Sequence, residues 1–347
     1  MRRVETNRYD LHELIRQYAY EQLAHSCDFE AANNRHFDFF LALAEETRTR
    51  LRSSELISAL NVMERDYDNL RSALEWSLRE REEDRETAFE AYRGQKALRL
   101  TSALYLFWKI RVYWGNGRRW LQRALDLTVQ APPAPEQVAA LKAAALLAVE
   151  QVDLPTAKQL AERALDLARE LGDPFNIGLT LATIGVVLWK QKEYDSARSH
   201  SDEALAQFRQ LNMKMGAADS LQLLGRIAIN QGELPTAQCY LEESLTIFKE
   251  LDDKMGFNAV FSDLGLVAYL RQDFVGAKKY HTQSLNLFRE ARSLAGIEMT
   301  LNRLGDIARC EGDYDEAGRC YRECWAIFRD TGDKDEIPSL LHNLGYV

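Results

Sequence analysis

Large apolar, small and polar positions recur along this chain with one fixed period of about 40 residues, a spacing typical of repeat architectures. Glycine stands at Gly185, Gly225, Gly265, Gly305 and Gly345. Twelve positions after the first four comes alanine, at Ala197, Ala237, Ala277 and Ala317. A large residue follows eight positions later (Leu205, Leu245, Leu285, Trp325), and phenylalanine three beyond that (Phe208, Phe248, Phe288, Phe328). The register extends backwards through Ala145, Ala157 and Leu165, and more loosely through Tyr105, Gly117 and Leu125. A fixed period of this length is the signature of stacked repeats, each burying its apolar face against its neighbours.

Within one period the pattern predicts a helix, a tight turn and a second helix. A large residue opens the second helix in six units: Trp114, Leu154, Tyr194, Leu234, Phe274 and Tyr314. An acidic residue precedes five of them, at Asp153, Glu193, Glu233, Asp273 and Asp313. That is where the positive end of a helix dipole favours a carboxylate. Pro155 and Pro235 suit the first turn of a helix, which needs no N–H there, and Gly232 and Gly312 suit the end of the helix before. Glycine inside a helix costs roughly 1 kcal/mol relative to alanine. Its return at one slot therefore predicts close approach of the paired helix, with the alanine twelve positions on as the opposing surface.

These residues resemble the tetratricopeptide repeat in its long form, with units of about 40 residues, over 98–347. The small residues at Ala124, Ala164, Ala204, Ser244, Ser284 and Cys324 fit that motif, while its usual closing proline is replaced by Gly-Asp-Pro at 172–174 and Gly-Asp-Lys at 332–334. The resemblance implies an all-α fold, a right-handed α–α superhelix whose first helices line a concave face.

The N-terminal quarter is not repetitive. Tyr9, Asp10, Leu11, His12, Glu13, Leu14 and Arg16 resemble the end of the winged-helix module in bacterial STAND-class signal-transduction ATPases and transcription regulators. Residues 64–80, with Asn69-Leu70-Arg71 and Ala73-Leu74-Glu75-Trp76, resemble the stretch that joins the ATPase module to the repeats there. His12 reads as a structural histidine near a helix start. The expected layout is a winged-helix remnant at 1–25, a helical connecting segment at 26–95 and the repeat array at 96–347, with six full units and a partial seventh. Trp108, Trp114 and Trp120 of the irregular first unit are expected to pack against the connecting helices. A chain that starts within one module and stops within a repeat reads as a piece of a larger protein.

Composition narrows the function. The formal net charge is −9 and basic residues do not cluster, which argues against direct nucleic-acid binding. No apolar run is long enough to span a membrane, and the N-terminus lacks the apolar core of a signal peptide, so a cytoplasmic location is expected. The five cysteines (Cys27, Cys239, Cys310, Cys320, Cys324) form no CxxC pair, and Cys324 fills a small-residue slot, so neither a metal site nor a disulfide framework is predicted. Phosphate-loop, dinucleotide, nucleophile-elbow and zinc-protease motifs are absent, and no catalysis and no cofactor are expected of this chain.

A ligand is expected on the concave face. Ile184, Leu224, Leu264 and Leu304 take the core slots of the first helices, and the slots between them should face the groove. The candidate binding residues are Trp189, Lys190, Gln222, Arg226, Asn230, Tyr269, Asn302, Arg303, Asp306 and Arg309. The arginines and amides suit a carboxylate or a peptide backbone. The alternative is a merely solvated groove. The resemblance implies a sensor or scaffold that binds a peptide, a protein or a small inducer and relays occupancy to an upstream ATPase module. A self-assembly module without its own ligand is the rival reading.

Overall fold

A computed structural model describes residues 2–5, 8–10, 13–79 and 87–331. His12, His342, Asn343, Gly345 and with them the partial seventh unit lie outside the described residues. Two short antiparallel strands, β1 (Arg2–Glu5) and β2 (Arg8–Asp10), precede helix α1 (Glu13–Ala24). Everything else in the described residues is helix or turn, in accord with the all-α expectation. Helices α2 (Phe29–Arg50), α3 (Leu56–Arg65) and α4 (Tyr67–Ser77) form the connecting segment.

Six helix pairs follow: α5 (Thr87–Ile110) with α6 (Trp114–Leu127), α7 (Pro135–Glu150) with α8 (Leu154–Glu170), and α9 (Pro174–Lys190) with α10 (Tyr194–Gln210). Then come α11 (Lys214–Asn230) with α12 (Leu234–Glu250), α13 (Lys254–Leu270) with α14 (Phe274–Glu290), and α15 (Leu294–Glu311) with α16 (Tyr314–Thr331). Helix α5 runs across position 96, and the buried residues of α2–α4 share one apolar layer with those of α5–α8. The connecting segment is thus packed as part of the array. Trp108 is fully buried and Trp120 nearly so, while Trp114 is half-buried. Tyr67 of α4 meets Phe107 and Tyr113 of the first unit at ring distances of 5.4 and 5.3 Å.

The recurrent glycines are where the helices close up, though the partner differs from expectation. A Cβ on Gly225 would lie 2.7 Å from Leu241, and one on Gly265 or Gly305 would collide with His281 or Tyr321. The backbone carbonyl of Ala237 lies farther off, at 3.5 Å from the Cβ position on Gly225. The occupant of the glycine gap is the side chain sixteen positions on, one helical turn past the alanine. The alanine supplies a flat backbone beside it. Gly225→Leu should therefore overpack this seam and lower stability by about 1–3 kcal/mol. The exposed Lys278→Ala should stay within about 0.5 kcal/mol. Equal denaturant midpoints would contradict the assignment.

A second glycine series seals one unit to the next. Phe208, Phe248 and Phe288 lie over Gly216, Gly256 and Gly296, where a Cβ would come within 2.6, 2.4 and 2.2 Å of the ring. Because this contact joins α10, α12 and α14 to the first helices that follow them, it helps to fix the angle at which those units stack.

All the turns between paired helices, and four of the five between units, end a helix with one left-handed residue. Between paired helices these are Val112, Val152, Lys192, Gly232, Gln272 and Gly312; between units they are Gly172, Asn212, Asp252 and Arg292. The following N–H reaches back to an earlier carbonyl, as from Asp153 to that of Ala148 at 2.9 Å, closing a Schellman-type cap. Left-handed backbone disfavours side chains by roughly 1–2 kcal/mol, and β-branched ones most. Val152 has a φ of 60° and is exposed. Val152→Gly is expected to raise stability by about 1 kcal/mol despite glycine's greater chain entropy. A lowered melting temperature would refute this.

Candidate binding surface

First helices of successive units touch one another (α7 with α9, α9 with α11, α11 with α13). They therefore line the inner side of the superhelix, and their groove-facing slots form a continuous strip. Trp189 of α9 lies at its centre. Lys190 Nζ sits 4.9 Å and the Arg226 guanidinium 5.5 Å from its ring centroid. Its indole N–H donates to Asn230 Oδ1 at 2.7 Å. Arg226 also donates to Asp263 at 2.8 Å, and Gln222 donates to the same carboxylate at 2.8 Å. Four of the candidate residues, Trp189, Lys190, Arg226 and Asn230, are thus brought together across α9 and α11.

Their state differs in part from a row of free donors. Gln222 is buried, and Arg226 is already committed to Asp263. Tyr269 hydroxyl lies 3.5 Å from Cys310 Sγ. Asp306 accepts from the Tyr321 hydroxyl at 2.9 Å and has Arg309 at 3.8 Å. Asn302 is half-buried. Arg303 is exposed, and its charge helps to disfavour protonation of His281, which places it toward the α14 side. The strip thus divides into a tryptophan-centred cluster and a second cluster in the last unit, around Asp306.

Charged groups that the periodic reading did not single out complete the first cluster. Lys109, at the end of α5, pairs with Glu150 of α7 at 2.9 Å. Burial pushes the Glu150 carboxyl up, but Lys109, Lys190 and Arg226 outweigh it and hold the group below its ordinary value. Burial lowers the Lys190 ammonium, against the pull of Glu150. Further along α7, Lys142 retains some solvent contact but is surrounded by protein, and desolvation brings it down to about 8. A lysine inside a run of alanine and leucine carries no periodic signal, which is why composition alone could not assign it.

One further residue enters from outside the repeats. The turn between α2 and α3 reaches the inner wall and places Arg52 between Asp219 of α11 and Asp253, which caps α13. Arg52 Nη1 and Nη2 donate to the two oxygens of Asp219 at 2.9 and 2.8 Å, and Nε donates to Asp253 Oδ2 at 2.6 Å. The guanidinium lies 5.7 Å from the Phe248 ring centroid. Ser54 N–H donates to Asp252 at 3.3 Å, and Arg111 bridges Glu64 and the Ala291 carbonyl at 2.8 Å each. The superhelix is curled enough for its connecting segment to touch the fourth and fifth units.

Among the described residues no group of three or more histidine, cysteine, aspartate or glutamate side chains could hold a metal, and no helix is long and apolar enough to cross a membrane. Cys320 and Cys324 are buried, and desolvation raises the Cys320 thiol to about 11.

Comparison with known proteins agrees with the geometry. Residues 177–250 match the tetratricopeptide repeat family model. Proteins of Mycobacterium tuberculosis and Mycobacterium bovis named as HTH-type transcriptional regulators are 30% identical over 193 residues. That match covers 51% of this chain but 20% of theirs, so the chain spans about a fifth of their length. Among solved structures, a Rap protein complexed with Competence and Sporulation Factor superposes with a TM-score of 0.63 at 16% identity, covering 94% of this chain and 89% of that one. NprR in complex with its cognate peptide NprX gives 0.58 at 15% identity, covering 96% and 84%. Aspartyl phosphate phosphatase F from Bacillus subtilis gives 0.60 at 12% identity, covering 86% and 73%. At such identities the likeness is one of fold. Repeat period, helix pairing and these neighbours agree that the chain is a right-handed α–α superhelix of tetratricopeptide type.

Proposed function

We propose that this chain is the non-catalytic sensor array of a signalling or transcription regulator, binding a peptide or protein on its inner face. The observation that carries the reading is the cluster around Trp189. An indole flanked by two cations, with Asn230 on its N–H and the Lys109–Glu150 pair nearby, offers an aromatic platform with hydrogen-bonding groups of both signs. Curved repeat arrays use such concave surfaces for extended ligands. Two structures of similar fold were determined as complexes, one with Competence and Sporulation Factor and one with a cognate peptide. The local match to HTH-type regulators, together with the winged-helix and linker resemblances, supports an ATPase module upstream in the whole protein and a cytoplasmic setting. The acidic balance supports a protein or small-inducer partner over nucleic acid.

Selection of a random peptide library on the purified chain tests this. Enriched peptides are expected to protect α9 and α11 from hydrogen exchange and to lose about tenfold or more in affinity for Trp189→Ala, since a buried interface tryptophan is a typical hot spot. They should bind Lys278→Ala as they bind the wild type. Peptides that ignore Trp189→Ala and protect the second helices would place binding on the convex side and overturn the proposal.

A further inference from the structure

The contact made by Arg52 has the anatomy of a ligand in a receptor. Both carboxylates belong to the wall of the superhelix, and the guanidinium alone comes from the connecting segment, 167 and 201 residues away in sequence. The receiving side is built independently of its occupant. The Asp253 side chain is fully buried, and its Oδ1 accepts from the N–H groups of Met255 and Gly256 at 3.0 Å, which fixes Oδ2 toward Arg52. Asp219 presents both oxygens to the planar fork, a match that an ammonium cannot reproduce. Phe248 lies against the same guanidinium.

The rim is open. The Asp219 side chain is 42% exposed and that of Arg52 25% exposed, so an incoming side chain can reach the pair. Lys142 and Arg48 are neighbouring cations.

Resting on the peptide-binding reading above, we propose that Asp219 and Asp253 form a guanidinium site on the inner wall. Arg52 fills it in this structure, and an arginine of the bound peptide or protein takes it when the turn at 50–56 withdraws. The connecting segment then acts as an internal competitor, and the preferred partner carries an exposed arginine.

The test uses the full chain and the tripeptide acetyl-Ser-Arg-Ser-amide, with the uncharged citrulline tripeptide as its isosteric control. Arg52→Ala is expected to bind the arginine tripeptide at least about tenfold more tightly than the wild type does, and about tenfold more tightly than it binds the citrulline form. Adding Asp219→Asn should abolish the gain. Arg52→Lys, which keeps a charge at the site, serves as the second variant should Arg52→Ala fail to fold, and it too should bind the arginine tripeptide better than the wild type. Equal titrations of the wild type and the folded variant, or equal binding of the arginine and citrulline tripeptides, would overturn the inference. The Trp189→Ala result with library peptides is independent of this comparison, so failure of the guanidinium site and failure of inner-face binding are distinguishable.

Discussion

Arg52→Met should destabilise the chain by about 3–5 kcal/mol, because it leaves the fully buried Asp253 carboxylate without its positive partner. Burial already raises the Asp253 carboxyl, and Arg52 is the first group opposing that rise. The reciprocal change is not expected to be symmetrical. Asp219 is well exposed, so Asp219→Asn should cost less than about 1 kcal/mol. Pairing Arg52→Met with Asp253→Asn should recover much of the loss, since an amide at that position can still cap α13 with its oxygen and carries no charge. Urea midpoints of the four chains provide the check. A change for Arg52→Met below about 0.5 kcal/mol, the range of an ordinary surface substitution, would mean that the α2–α3 turn does not rest on the wall in solution.

His281→Leu should make the chain more resistant to acid. The ring is buried against Gly265, and neither of its nitrogens has a hydrogen-bond partner. Desolvation, with the Arg303 charge adding to it, lowers the imidazole from 6.5 to about 4. As pH falls below 6.5 the unfolded chain binds a proton at this position, while the folded chain does not until about 4. Stability therefore drops across that window, by about 3 kcal/mol in full. Leucine already fills the equivalent gap at Leu241 against Gly225, so the replacement suits the space. At pH 7 the variant should be about 1 kcal/mol more stable, through removal of unpaired buried polar atoms. Its advantage over the wild type should widen toward pH 4. An advantage that stays constant between pH 7 and pH 4 would show that His281 titrates freely in the folded state.

The repeat was legible because its causes are local. A glycine at one constant spacing, an acidic residue before five of the six second helices and turn residues at the junctions are all dictated within one unit or between adjacent ones. Even the Phe208–Gly216 type of contact could have been read from the sequence, since Gly216, Gly256 and Gly296 keep the same period, eight positions after each phenylalanine. The groove positions were legible as positions, but not their pairings. Arg226 and Asp263 lie 37 residues apart, and whether they meet depends on the rotation between units. The role of Arg52 left no trace in the sequence. It sits in Arg-Thr-Arg-Leu-Arg, an ordinary basic helix end, and its partners are set by the curvature accumulated over several units. A period states how units repeat. Total curl depends on small angles that sum along the stack.

That curl has a kinetic consequence. Contacts between neighbouring units are short in sequence, so an isolated array could nucleate at any unit, grow in both directions and fray from either end. The bond from Arg52 to Asp253 spans 201 residues and joins the connecting segment to the fifth unit. It can form only after the intervening units have acquired their curvature, which makes docking of this segment a late event in folding. Once it is made, the first units cannot unravel alone. Opening them requires release at α13, so the connecting segment and the units up to the fifth should open together as one cooperative block, with α15 and α16 outside it.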